Sequence, residues 1–267
     1  MTTYRSPVSQ ANLDFLAHLF DVVESLTERA DQQISFGLDE VGPTSSLAQD
    51  DVGMDGFKVS IMVMSSIGSA LDHAITLRSL VTKAGEVTNA APWTLLRGVI
   101  EPSSLAVWIL DATSRVHRQE RALRVWRHDM HERSNWEKDT GFVPTPPGKK
   151  ATDRMKQIDE IVQRLGLRPQ QVAQKLYYSH TVRDAGEAAG MPGAAARARW
   201  RECSGFAHGR NWSSMRLSQP IAATRLRDRD GAMVALTLNE THLEGVADLA
   251  TTLLNKALSD YADAANG

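Results

Sequence analysis

The stretch Pro92-Trp93-Thr94-Leu95-Leu96-Arg97-Gly98-Val99-Ile100-Glu101-Pro102-Ser103-Ser104-Leu105-Ala106-Val107-Trp108-Ile109-Leu110-Asp111 decides the fold class. Pro92 suits the first turn of a helix, where its missing N–H leaves nothing unpaired. From Trp93 to Asp111 apolar side chains fall nearly all round the axis, and a helix with no face for water belongs at the centre of a bundle. Pro102 cannot bond the carbonyl four residues back, which predicts a kink there. Arg97 and Glu101 stand at i and i+4 on this same helix. A charge buried alone is costly, so the two either pair internally or line a polar cleft against a neighbouring helix.

On the N-terminal side, Leu13, Leu16, Phe20, Val23, Ala30 and Ile34 keep helical steps, so residues 9–36 read as an amphipathic helix with Ser9 as its cap. Gly37, Gly42-Pro43, Ser45-Ser46 and Asp50-Asp51 mark residues 37–54 as a linker. A helix from Asp55 to about Lys83 follows, with Phe57, Ile61, Met64, Ile67, Leu71 and Ile75 on one side. Downstream, Ser114 caps a helix to about Lys138, and Gly141 to Gly148, with three prolines, breaks regular structure. Helices are expected over Thr152 to Leu165, from Pro169 to Tyr178, and, after the Gly186, Gly190 and Pro192-Gly193 loop, through Arg201. Alternating segments Ala222 to Leu226 and Met233 to Leu238 flank an Asp230-Gly231 turn and read as a hairpin. Glu240 to Ala262 carries a last apolar helical stripe. The expected fold is all-α, a helical bundle with one small β-hairpin near the C-terminus. Residues 1–54 form a helical N-terminal extension and linker, and 55–267 form the bundle.

Composition narrows the function. The 267 residues are 42% hydrophobic, enough for a real core. Uninterrupted apolar runs such as Ile61 to Met64 and Leu105 to Leu110 are too short to span a bilayer, so no membrane partner is expected. The start lacks the apolar segment of a secretory signal, and the single Cys203 has no intramolecular disulfide partner, which points to a cytoplasmic location. Net charge is −2 but unevenly placed: residues 1–55 hold ten carboxylates against two arginines, leaving 28 basic and 22 acidic residues afterwards. That field can attract polyanions, although a pI near 6.5 argues against a dedicated nucleic-acid binder.

Two clusters carry candidate chemistry. In Trp200-Arg201-Glu202-Cys203-Ser204-Gly205-Phe206-Ala207-His208-Gly209, Arg201 and His208 are seven apart, two helical turns and about 20° around the axis. A fixed cation beside a group that exchanges protons near neutral pH can cleave a phosphodiester without a metal. Cys203 and His208 lie about 140° apart, poor geometry for a nucleophilic pair, so a buried inert thiol is expected. Further upstream, His117, Arg121, Arg124, His128 and His131 fall within about 40° of one line, with Val116, Leu123, Trp126 and Met130 opposite. That basic face is either solvated surface or a contact for RNA phosphates. His128 and His131 at i and i+3 have a metal-compatible spacing but lack a third ligand, so no metal and no cofactor is expected.

The Arg201…His208 spacing, the Arg97 to Glu101 helix and the Ser204-Gly205-Phe206-Ala207-His208-Gly209 ending resemble the HEPN superfamily, helical bundles of toxin and defence systems. The family motif is an arginine, four to six residues, then a histidine; here six intervene, and Glu202 stands where the family usually has Asn, Asp or His. The resemblance implies a metal-independent RNA-cleaving or RNA-binding protein of a bacterial toxin or defence type. It implies a homodimer whose two motifs share a cleft, a possible RNA target, and a possible antitoxin or nucleotidyltransferase partner. Arg201, His208 and Ser204 would be catalytic, with Arg97, Glu101, Arg121, Arg124 and His128 binding substrate. The alternative left open is a non-catalytic helical interaction module with the same fold.

Overall fold

A computed structural model describes residues 6–7, 14–30, 38–84, 86–225 and 232–266. In chain order the elements are β1 (Ser6–Pro7), α1 (Asp14–Ala30), α2 (Ser46–Asp51), α3 (Val59–Ala84), β2 (Glu86–Val87), α4 (Ala91–Leu110) and α5 (Arg115–Thr140). Then come α6 (Ala151–Arg164), α7 (Pro169–Val172), α8 (Tyr178–Ala188), α9 (Gly193–Ala207), α10 (Asn211–Leu217), β3 (Ser218–Arg225), β4 (Ala232–Leu238) and α11 (Glu240–Asn266). The fold is all-α, with β3 and β4 pairing antiparallel as the small hairpin and β1 pairing β2 over two residues.

α4 is the centre, packed against α3, α8, α9 and α11. Its Trp93, Leu96, Val99, Ile100, Ala106, Val107 and Ile109 are wholly buried, and each large one contributes about 1.5–3 kcal/mol of transfer free energy. α4 runs through Pro102 as one helix, because neighbours on several sides hold the turn that lost its hydrogen bond. Gly98 permits its closest approach to α3: a Cβ there would lie 2.5 Å from the His73 ring. α3 itself is long and apolar enough to cross a membrane by length and composition, an 18-residue window within Val59–Lys83 reaching a mean hydropathy of 1.2. Counting uninterrupted apolar runs missed this, because Ser66, Gly68, Ser69 and Asp72 punctuate the helix. It nevertheless packs as the core partner of α4.

Several expectations change. The segment 37–54 is not a bare linker: it contains α2 and is fastened at both ends. Ser45 caps α2 by accepting from the Ala48 N–H, and Leu47 and Met54 are fully buried. Tyr261 donates to the Asp39 carbonyl at 2.7 Å, and the Gly42 N–H donates to Ala265 at 2.9 Å. Arg118 clasps the buried Asp50 carboxylate at 2.5 and 3.0 Å. Turn-forming residues report backbone direction, not the absence of packing. Leu16, Leu19 and Val23 of α1 belong to the same continuous core. Of the helix expected over 9–36, residues 9–13, with the Ser9 cap, and 31–36 lie outside the described residues, as does the hairpin turn at Asp230-Gly231. The helix expected over 169–178 is the single turn α7, and the chain re-enters helix only at Tyr178. Val116, expected in the core, is exposed, because it stands in the first turn of α5, beyond the reach of the layer beneath.

α5 and α7 are joined by a buried carboxylate. Glu120 accepts from the Arg168 backbone N–H and Nε, both at 2.9 Å, and from its second nitrogen at 2.5 Å. Arg168 holds the Glu120 carboxyl below the usual carboxylate range, so its stabilisation is present above the unfolded-state value and is lost as pH falls through the depressed one. Glu120→Gln is therefore expected to lower stability by about 1–3 kcal/mol at pH 7. The difference from wild type in urea melts should shrink as the pH is lowered below the usual glutamate range; a penalty that stays constant down to that range rejects the ionic role.

Candidate functional site

α9 continues through Gly205 to Ala207, so the glycine does not end the helix early. Gly205 is instead a contact point: a Cβ there would meet Ser213 at 2.7 Å and Trp212 at 2.9 Å on α10. The helix stops two residues later. Gly209 adopts φ +59, its N–H donates to Phe206 at 3.0 Å, and the Arg210 N–H donates to Gly205 at 2.8 Å. These paired reversed bonds form a Schellman end, which places His208 at the helix cap with its ring exposed to solvent.

His208 meets α4. Its Nε2 lies 3.3 Å from an Arg97 terminal nitrogen. Because a guanidinium only donates, the contact is a hydrogen bond in the tautomer whose Nε2 accepts and whose proton sits on Nδ1. Arg97 in turn donates through Nε to Glu101 Oε1 at 2.8 Å, and Trp200 Nε1 donates to the same oxygen at 2.7 Å. The pair expected from the i, i+4 spacing is thus formed, and it faces the motif helix. Behind it, Trp93 stacks on Phe206 with ring centres 4.4 Å apart, fixing the end of α9 against the start of α4.

Among the described residues, no hydrogen bond joins Arg201 to His208. Arg201 is exposed and has no ion-pair partner there, while Glu202 pairs with Arg199 at 3.2 Å. The Arg199 guanidinium rests against Gly245 of α11, so Glu202 is drawn away from Arg201 and leaves it a free cation. Ser204 is half-buried, and its carbonyl accepts the His208 N–H at 3.1 Å. Cys203 is fully buried, and burial pushes its thiol well up from the usual value, which leaves it protonated and unreactive.

Sequence reasoning assigned no role to Trp200 or to Tyr178. Burial raises the Tyr178 phenol, and Glu101 and Asp129 push it in the same direction. Trp200 carries no periodic signal of its own; only the need of Glu101 for a second donor would have found it.

The α5 residues form a separate cluster. Arg121 donates to the Trp108 carbonyl, and the guanidinium carbons of Arg121 and Arg124 lie 4.9 and 5.4 Å from the Trp108 ring centre. Arg124 donates to the Gln171 carbonyl and to its side-chain oxygen at 2.7 and 3.1 Å. His128 and His131 line a cavity of about 450 Å³ beside them. This face is neither plain solvated surface nor in contact with His208. No three His, Cys, Asp or Glu side chains among the described residues converge as metal ligands. No protein-family model matches the chain, and no curated protein or solved structure matches it.

Glu101→Ala should leave Trp200 Nε1 unpaired and free Arg97 from its anchor, lowering stability by about 1–3 kcal/mol. Glu101→Gln keeps an acceptor for Trp200 and should cost less. Urea denaturation of both variants, with the Trp200 indole N–H resonance followed by NMR, checks the order; an equal loss in both removes the special role of the Trp200 bond.

Proposed function

We propose that the chain is a metal-independent RNA-cleaving or RNA-binding protein of the HEPN type, in which Arg97 takes the place beside His208 that the sequence reading gave to Arg201. The observation that supports this is the exposed His208–Arg97 contact of 3.3 Å, backed by Glu101. A neutral imidazole whose lone pair is occupied only by a guanidinium is a base held in reserve. When a phosphate draws Arg97 away, Nε2 is free to take the proton of a ribose 2′-hydroxyl. The 2′-oxygen then bonds to phosphorus, the bond from phosphorus to the 5′-oxygen breaks, and a proton from a general acid completes the alcohol. Products are a 2′,3′-cyclic phosphate and a 5′-hydroxyl. Arg97 and the free Arg201 stabilise charge developing on the phosphoryl oxygens.

A homodimer in the cytoplasm that sets two His208 rings across one cleft supplies both base and acid, and an antitoxin or nucleotidyltransferase would be its natural restraint. A non-catalytic reading draws on the same contacts: Arg97, Glu101, Trp200 and His208 satisfy one another and staple α9 to α4.

Cleavage of a labelled RNA in EDTA separates the two readings. Catalysis predicts a loss of about 10²- to 10⁴-fold for His208→Ala and strong impairment for Arg97→Lys, which keeps charge but loses the planar fork. Thermal melts of His208→Ala should stay near wild type. No cleavage by the wild type, with a lowered melting temperature for His208→Ala, supports the staple instead.

Light scattering at tens of micromolar should show a dimer; a monomer there rejects the shared cleft.

A further inference from the structure

Arg121 and Arg124 are half-buried, and no carboxylate hydrogen-bonds either of them among the described residues. Other arginines of this region do hydrogen-bond an acid: Arg118 has Asp50, Arg127 has Asp159 and Arg183 has Asp184. Arg121 and Arg124 instead share one aromatic ring and neutral carbonyl partners. Burial lowers both guanidiniums, and Arg121 lowers Arg124 further, so the pair stands in mutual repulsion. Asp111 and Asp184 offset the Arg121 charge and Glu120 that of Arg124, but among the described residues no carboxylate hydrogen-bonds either guanidinium, and an incoming anion would supply that contact.

The space for such an anion is adjacent. The cavity of about 450 Å³ is followed by a second of about 430 Å³, and Arg124 and Lys175 form a wall of both. His128 and His131 line the first, while Tyr177 and His180 line the second. Lys175 is exposed, has no ion-pair partner among the described residues, and lies 5.2 Å from the Tyr177 ring centre. Tyr177 is half-exposed, with the His180 ring 5.3 Å away at 41°. The unpaired acid on this surface is Glu132, against Arg124, Lys175 and three imidazoles. A line of cations beside a half-exposed aromatic ring is the combination that single-stranded nucleic acid requires: charge for the phosphates and a platform for a base. A duplex keeps its bases stacked inside and has no use for the platform.

We infer that the trough between α5, α7 and α8 is a binding site for single-stranded RNA, with phosphates on Arg124 and Lys175 and a base stacked on Tyr177. It extends the RNA reading of the His208 cluster but does not need cleavage there, since capture by the trough and chemistry at His208 use different residues.

The test is fluorescence anisotropy of a labelled twelve-nucleotide single-stranded RNA with the full chain in EDTA. Lys175→Glu and Tyr177→Ala alter exposed side chains and should fold as wild type. Each is expected to weaken binding on the order of tenfold or more. Lys138→Glu, the same charge change on α5 outside the trough, should leave affinity within about twofold. Lys175→Glu should also flatten the dependence of log affinity on log salt by about 0.7 for the lost phosphate contact. Three results overturn the site: no RNA binding by wild type, equal effects of Lys175→Glu and Lys138→Glu, or duplex RNA binding as tightly as the single strand. Full competition by ATP at equal concentration also overturns it, because a mononucleotide pocket would then explain the data. Binding lost in Arg97→Ala but kept in Lys175→Glu moves the strand to the His208 cluster, rejecting the trough and sparing that cluster. Binding retained by a wild type that cleaves nothing spares the trough and rejects catalysis.

Discussion

The structure depends on an ion pair placed in a helix that has almost no solvent face. α4 is enclosed by α3, α8, α9 and α11, yet it carries Arg97 and Glu101 in its middle. Each charge is partly withdrawn from water and finds a partner within reach of its own side chain. Glu101 is answered by Arg97 and Trp200, and Arg97 by His208. All the answering groups beyond α4 come from α9 and its cap, so the polarity of the central helix dictates which helix lies beside it and in which register.

Backbone geometry then delivers His208. Gly205 lets α10 approach to a distance that a methyl group would forbid, and Gly209 turns the chain in the left-handed region, where other residues pay a steric cost. Between these two glycines the helix ends one residue before His208, so the ring leaves the helical array instead of following Arg201 along it. Gly205 and Gly209 are thus the devices that aim it.

Arginine use divides the surface into two kinds of region. Arg118 with Asp50, Arg168 with Glu120 and Arg133 with Glu137 are clasps between chain segments; Glu137 also accepts the first N–H of α6 at 3.0 Å. Arg121 and Arg124 have no acid and sit on Trp108. A run of arginines with an even appearance in the sequence therefore contains both mortar and open charge, and the difference is set by partners far away in the chain.

The sequence alone determined the helical class, the burial of Trp93 to Ile109, the Ser114 cap, the helix stops at Gly141 and Gly166 and the hairpin near the C-terminus. Each of these is a local property, written in side-chain period or in the conformational reach of one residue. It also offered pairing of Arg97 with Glu101 as one of two outcomes, since i and i+4 face one another on any helix. Which group Arg97 would reach next, whether Glu202 would neutralise Arg201 or turn to Arg199, and whether residues 37–54 would hang free or clamp α11 were decided by tertiary structure. Those contacts join residues as many as 227 positions apart, as in the bond from Asn266 to Asp39. Helical period fixes which residues share a face, but only the packing of whole helices fixes what that face meets.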